Sequence, residues 1–169
     1  MSTPEEPRAP LGDASPFRFA IVVSRFNQAI TYSLRDGASA ALAEAGAAAA
    51  RVQVFEVPGA YEIPQAARAA AETGGFDAVV CVGCVIRGET PHFDYICSAV
   101  AHGIMAAAGD TGVPMAFGVL TTDTLAQAQA RAGAGDDNKG REAAAAAIEM
   151  AALYRRLTPA VPRPTGFRA

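Results

Sequence analysis

The chain is 169 residues long, enough for one domain with a core of its own. Hydrophobic residues make up 51% and charged residues 18%, which excludes a disordered chain. The net charge is −3 with no basic patch, and no apolar run is long enough for a bilayer, so neither a nucleic-acid nor a membrane partner is expected.

The opening residues 1–16, MSTPEEPRAPLGDASP, are acidic and Pro-rich. They read as a flexible arm, the reverse of a secretory signal, and make the cytoplasm the expected compartment. Phe17–Val23 is a short apolar run rich in β-formers and predicts the first strand. Ala29–Ala45 places Ile30, Leu34, Ala38, Ala41, Leu42 and Ala45 at helical spacing, and Gly46 suits the helix C-terminus. Val52–Val57 is a second strand, stopped by Pro58-Gly59, and Ile63–Glu72 is a helix closed by Gly74-Gly75. Ala78–Val85 is the third strand. A helix follows from about Pro91, with Ile96, Cys97, Val100, Ile104 and Met105 on one stripe. Val113–Val119 is the fourth strand, Asp123–Arg131 a short helix ended by Gly133, and Lys139–Leu157 the last helix. The domain thus spans 17–157, and 158–169 reads as a tail. Strands that alternate with helices and show no polar alternation argue for a parallel sheet covered on both faces. In such sheets ligands sit beyond the carboxyl ends of the strands, so chemistry is sought at 24–27, 58–62, 86–92 and 120–123.

Cys81 and Cys84 form a C-x-x-C, but positions three apart on a strand point to opposite faces. They read as small buried hydrophobes, and no second ligand pair follows, so no metal site is expected. The segment Arg87-Gly88-Glu89-Thr90-Pro91-His92 leaves the third strand, turns at Gly88 and enters a helix. Thr90 suits the N-cap and Pro91 the first helical position. The free N–H groups of such a start form an anion site. His92 falls in the first turn, where the positive helix end favours an uncharged imidazole able to take a proton. On these residues alone, a plain helix start with a surface histidine fits as well. His102, mid-helix, reads as a packing or surface residue. Phe26 after the first strand suits stacking on a flat heterocycle, or ordinary core packing. Glu62 suits sugar hydroxyls, or simply the start of a helix. The loop 133–140 with Lys139 has the wrong spacing for a phosphate loop and joins two helices; Arg131 and Lys139 read either as charge for a phosphate held elsewhere or as solvated helix-end cations. There is no G-x-G-x-x-G for a dinucleotide.

Taken in order, Arg25-Phe26-Asn27, the block 57–64 (VPGAYEIP), the block 83–95 (GCVIRGETPHFDY) and Asn138-Lys139-Gly140 resemble the lumazine synthase family over roughly residues 17–157. The resemblance implies a three-layer flavodoxin-like α/β fold with a four-stranded parallel sheet. It implies condensation of 5-amino-6-(D-ribitylamino)uracil with 3,4-dihydroxy-2-butanone 4-phosphate, without a cofactor. Carried over by position, Phe26 stacks on the pyrimidine, and Ala60, Tyr61 and Glu62 meet the ribityl chain and ring. Cys84, Val85 and Ile86 contact the ring, Glu89 and Thr90 meet the phosphate, and His92 transfers protons. Phe117 and Arg131 come from a neighbouring subunit, with Lys139 nearby. Tyr61 stands where the family more often has Phe, and Cys84 where it often has Ala or Thr. The family forms pentamers, in many members closed into a sixty-subunit shell. The short loop 133–139 and the low charged fraction lean toward the shell. Riboflavin synthase is a candidate partner. Two rivals are a non-catalytic flavin-binding or container relative and an archaeal-type riboflavin synthase. The presence of His92, Arg131 and Lys139 argues against the first, and the full 88–92 block against the second.

Overall fold

The structure, a computed structural model, describes residues 10–158. Four strands, β1 (Phe19–Ser24), β2 (Val52–Val57), β3 (Ala78–Ile86) and β4 (Met115–Thr122), form one parallel sheet in the order β2-β1-β3-β4. The helices are α1 (Gln28–Glu44), α2 (Ile63–Glu72), α3 (His92–Thr111), α4 (Leu125–Arg131) and α5 (Lys139–Leu157). One face of the sheet packs Phe19, Ile21, Val23, Val80 and Val82 against α1, α4 and α5. The other packs Ala20, Val22, Val79 and Cys81 against α2 and α3. These are the three layers of a flavodoxin-like fold. β1 and β3, the central strands, are apolar at almost every position because both of their faces are covered. Each fully buried Val, Ile or Phe there contributes about 1.5–3 kcal/mol. No described helix is long and apolar enough to cross a membrane.

Four expectations need correction. The sheet is not buried throughout: β2 is an edge strand, and Gln53–Glu56 are exposed, with Val54 44% and Phe55 38% accessible. The fourth strand starts two residues later than its apolar run. Pro114 has no N–H to give a ladder, and its carbonyl instead accepts from the Val79 N–H at 2.9 Å. Met105 is off the buried stripe of α3 at 75% exposure, since five residues turn it roughly 140° from Val100. The arm does not run free to residue 16. Ala14 is fully buried, its N–H donates to the Ala45 carbonyl at 2.9 Å, and Leu11 packs on the core. Residues 1–9 of that arm and 159–169 of the tail lie outside the described residues.

The order β2-β1-β3-β4 fixes where a ligand can enter. The chain leaves β1 toward one side to make β2, then crosses to the other side to make β3. The connections therefore diverge above the carboxyl ends of β1 and β3 and leave a crevice there.

Candidate active site

A cavity of about 320 Å³ occupies that crevice. Its first wall follows β1. Asn27 takes the left-handed conformation at φ 59°, the one described non-glycine residue with positive φ, and asparagine tolerates it better than most. Its amide donates to the Cys84 carbonyl at 3.0 Å, which ties the start of α1 to the end of β3. The Phe26 N–H donates to Ser24 Oγ at 3.2 Å, and the Phe26 ring is left 69% exposed, lining the cleft. A large aromatic with so little burial adds little to the fold and is free for a planar ligand.

The second wall follows β2. After Pro58-Gly59 the chain makes a short 3-10 turn, Ala60–Glu62, before α2. Ala60 is buried beneath the cleft, while Tyr61 is 61% exposed and lines it. A Cβ on Gly59 would come within 3.1 Å of Glu62 Oε2, so the half-buried carboxylate lies folded over this turn.

The third wall comes from β3 and the turn after it. Cys84, Val85 and Ile86 form the floor, and Gly88, Thr90 and His92 the rim. α3 starts at His92 with Pro91 before it at φ −63°, ψ −3°, and no side-chain oxygen caps it. The expected Thr90 cap is therefore not made; Thr90 lines the cleft instead. The first N–H groups of α3 have no partner within the helix, which makes this rim a place for an anion. The exposed His92 stands within the same turn. Glu89 is exposed in the turn, between two residues that line the cleft. Cys81 and Cys84 lie on opposite faces of the sheet, as alternation requires. Burial pushes the Cys81 thiol up to about 12 and the Cys84 thiol up to about 11, so both stay protonated at neutral pH and neither is a ready nucleophile. Among the described residues no group of three or more His, Cys, Asp or Glu converges as a metal site.

Phe117, Arg131 and Lys139 are not in this cleft. They line a second one, about 310 Å³, that runs along β4 and is closed by the end of α4 and the start of α5. The two clefts share no lining residue. Phe117 is 46% exposed. Arg131 donates to the Gln127 carbonyl at 3.0 Å and has no ion pair among the described residues, whereas Lys139 pairs with Glu142. A cation with no ion pair among the described residues is suited to an anionic ligand.

The Asn138-Lys139-Gly140 motif divides by role. Asn138 is 3% exposed. Its Oδ1 accepts from the Gly140 and Arg141 N–H groups at 2.9 and 3.2 Å and caps α5. Its Nδ2 donates to the carbonyls of Ser33, Ala132 and Gly133 at 3.1, 3.3 and 3.0 Å. A Cβ on Gly140 would sit 1.8 Å from the Leu34 carbonyl oxygen, so only glycine lets α5 pass α1 this closely. Asn138 and Gly140 thus hold the frame from which Lys139 reaches the second cleft. His102, exposed on α3 with Nδ1 2.8 Å from the Ser98 carbonyl, lines neither cleft.

Sequence reasoning missed Arg87. Its Nε donates to Asp123 at 2.8 Å, its Nη1 and Nη2 donate to Asp94 at 3.3 and 3.1 Å, and its guanidinium stacks 4.1 Å above the Phe93 ring. These pairings hold the guanidinium firmly in its charged form. No local pattern marks it, because one carboxylate lies 36 residues away on another connection.

Residues 16–155 match the family described as 6,7-dimethyl-8-ribityllumazine synthase. A relative carrying that name, from Salinibacter ruber (strain DSM 13855 / M31), is 56% identical over 140 residues, covering 83% of this chain and 90% of its own. Another, from Syntrophus aciditrophicus (strain SB), is 52% identical over 144 residues, covering 85% and 94%. A match across nearly the whole described domain, over a fold and a strand-end cleft of the kind its motifs imply, makes the chain a member of the 6,7-dimethyl-8-ribityllumazine synthase family.

Proposed function

We propose that the chain condenses 5-amino-6-(D-ribitylamino)uracil with 3,4-dihydroxy-2-butanone 4-phosphate to 6,7-dimethyl-8-ribityllumazine, the penultimate step of riboflavin biosynthesis. The observation that carries this is one cleft combining an exposed aromatic, Phe26, with a histidine at an uncapped helix start, in a chain of this family. Phe26 stacks on the pyrimidine. Ala60, Tyr61 and Glu62 receive the ribityl chain, and Cys84, Val85 and Ile86 border the ring. The turn through Glu89 and Thr90 takes the phosphate on its N–H groups.

The chemistry is redox-neutral. The uracil amine attacks the ketone and water leaves to give an imine. Loss of the C3 proton then expels phosphate from C4 and leaves an enol, which tautomerises to a ketone at C3; the ribitylamino nitrogen attacks that ketone and closes the ring with loss of a second water. Both partners are intrinsically reactive, so catalysis is chiefly the holding of two reactants together. His92 moves the protons, first from the attacking amine and then to the leaving groups.

The phosphate calls for a fixed cation, and Arg131 and Lys139 lie in the other cleft. Homo-oligomerisation supplies them: the β4 edge of one copy, with Phe117, Arg131 and Lys139, closes over the strand-end cleft of the next. Exposed Phe26, Phe117 and Tyr95 fit surfaces that a partner covers. A ring of such copies, closed into a shell, is the assembly this reading favours. The cytoplasm is its compartment, and riboflavin synthase, which consumes the product, its natural partner.

The test is to mix the full-length protein with both substrates and follow lumazine absorbance and phosphate release. Both appear together if the proposal holds. Riboflavin made from lumazine alone points to a riboflavin synthase instead, and flavin binding without turnover points to a container.

A further inference from the structure

We propose that Arg87 is a positioning residue for this reaction, which clamps the phosphate-holding turn from both ends and joins it to the β4–α4 connection. The inference rests on the reading of residues 88–92 as the phosphate site. The geometry is a closed loop. Arg87 opens the turn and its backbone N–H is fixed to the Thr122 carbonyl at 2.9 Å. Seven residues later Asp94 closes the turn by taking both terminal nitrogens of the same guanidinium. The stretch between, Gly88 to Phe93, is held like a loop on a pin.

Phe93 deepens the clamp. It is 9% exposed, lines the strand-end cleft and carries the Arg87 guanidinium on its ring. The turn is otherwise held by backbone alone: among the described residues no side chain hydrogen-bonds to Gly88–His92, and the Pro91 carbonyl accepts from the Asp94 N–H at 3.0 Å. A Cβ on Gly88 would meet no atom within 4 Å, the helix start has no side-chain cap, and Gly88 to His92 are all exposed. The third arm, Arg87 to Asp123, reaches the residue just ahead of Thr124, whose side chain caps α4. α4 ends in Arg131. One guanidinium thereby fixes the anion-binding rim of the first cleft relative to the helix that carries the cation of the second.

The carboxylates and Arg87 are well exposed, so their pairing adds little to stability. Its effect falls on the placement of the turn. A geometric error of about 1 Å at a reacting group costs as much as 10²-fold in rate, so loss of the clamp is felt in kinetics before it is felt in folding. Lysine cannot replace it, since an ammonium lacks the planar fork that grips Asp94 and reaches Asp123 together.

The experiment is steady-state kinetics of full-length Arg87→Gln and Asp123→Asn with both substrates, beside thermal melts. The expected result for Arg87→Gln is a KM for the butanone phosphate raised roughly tenfold or more, with the KM for the pyrimidine and the melting temperature little changed. Asp123→Asn keeps the Asp94 grip and the stacking on Phe93, and shifts the same KM the same way by less. It carries the test if Arg87→Gln does not assemble. Arg87→Lys is expected to recover only part of the loss. An unchanged phosphate KM overturns the proposal, as does an equal rise in both KM values with a drop in melting temperature, which a merely structural role would give. Arg131→Ala separates the two readings. If it raises the phosphate KM while Arg87→Gln does not, only the clamp is wrong; if both are silent, the phosphate site itself is misplaced.

Discussion

The strand-end cleft and the β4-edge cleft are similar in size and opposite in make-up. The first takes its residues from the carboxyl end of β3 and from the connections after β1, β2 and β3, and it holds aromatics, backbone groups and one histidine. The second takes its residues from the face of an edge strand and from two helix termini, and it holds the cations. The exposed Phe26 and Tyr61 and the uncapped helix start therefore share one cleft, while Arg131 and Lys139 sit in the other. In the proposed shared site, a condensation that uses the aromatic platform together with a phosphate-holding cation draws on both clefts. Each cleft also leaves a large aromatic uncovered, Phe26 in the first and Phe117 in the second.

The largest expected effect breaks the frame of the second cleft. In Gly140→Ala the new Cβ meets a backbone oxygen of α1 that cannot move aside. It should cost more than about 3 kcal/mol, seen as a lowered melting temperature and poor assembly, while conservative changes at Lys139 leave the melt alone. Next comes His92→Ala in the first cleft. It should lower kcat by about 10²-fold, the low end for acid–base catalysis, and leave both KM values near the parent values. Smaller still is Arg131→Ala. Loss of one charge-assisted hydrogen bond should raise the KM for the phosphate substrate about ten- to hundred-fold, with the pyrimidine KM unchanged. A wild-type Arg131→Ala enzyme would remove Arg131 from the site and leave the second cleft without a role.

The same contrast shows what the sequence makes legible. β1 and β3 stand out because strands covered on both faces are continuously apolar, and the ends of β1, β2 and β3 point straight to the first cleft. β2 looks equally apolar at Val52, Val54 and Val57, yet it lies at an edge, and nothing local tells an edge strand from a central one. Thr90-Pro91 has the composition of a capped helix start, but the chain turns so that Thr90 faces the cleft instead. The second cleft is harder to read. Arg131 and Lys139 look like any helix-end cations until α4, α5 and β4 are brought together, and the family resemblance, not their spacing, assigns them a role. Asn138 and Gly140 acquire meaning only against Ser33 and Leu34, more than a hundred residues earlier. Arg87 depends in the same way on Asp123. Contacts between distant segments are the part that periodicity does not carry.

The central claim, that each working site is made of the first cleft of one copy and the second cleft of its neighbour, is tested by mixing two damaged chains. His92→Ala and Arg131→Ala subunits are purified separately, unfolded, mixed in equal amounts and allowed to reassemble. If sites are shared, random assembly gives about a quarter of them both intact halves, and lumazine synthesis, assayed with the butanone phosphate well below the raised KM of Arg131→Ala, recovers well above the mean of the two variants alone. If the mixed assembly is no more active than that mean, every site is built within one chain and the shared-site account is contradicted.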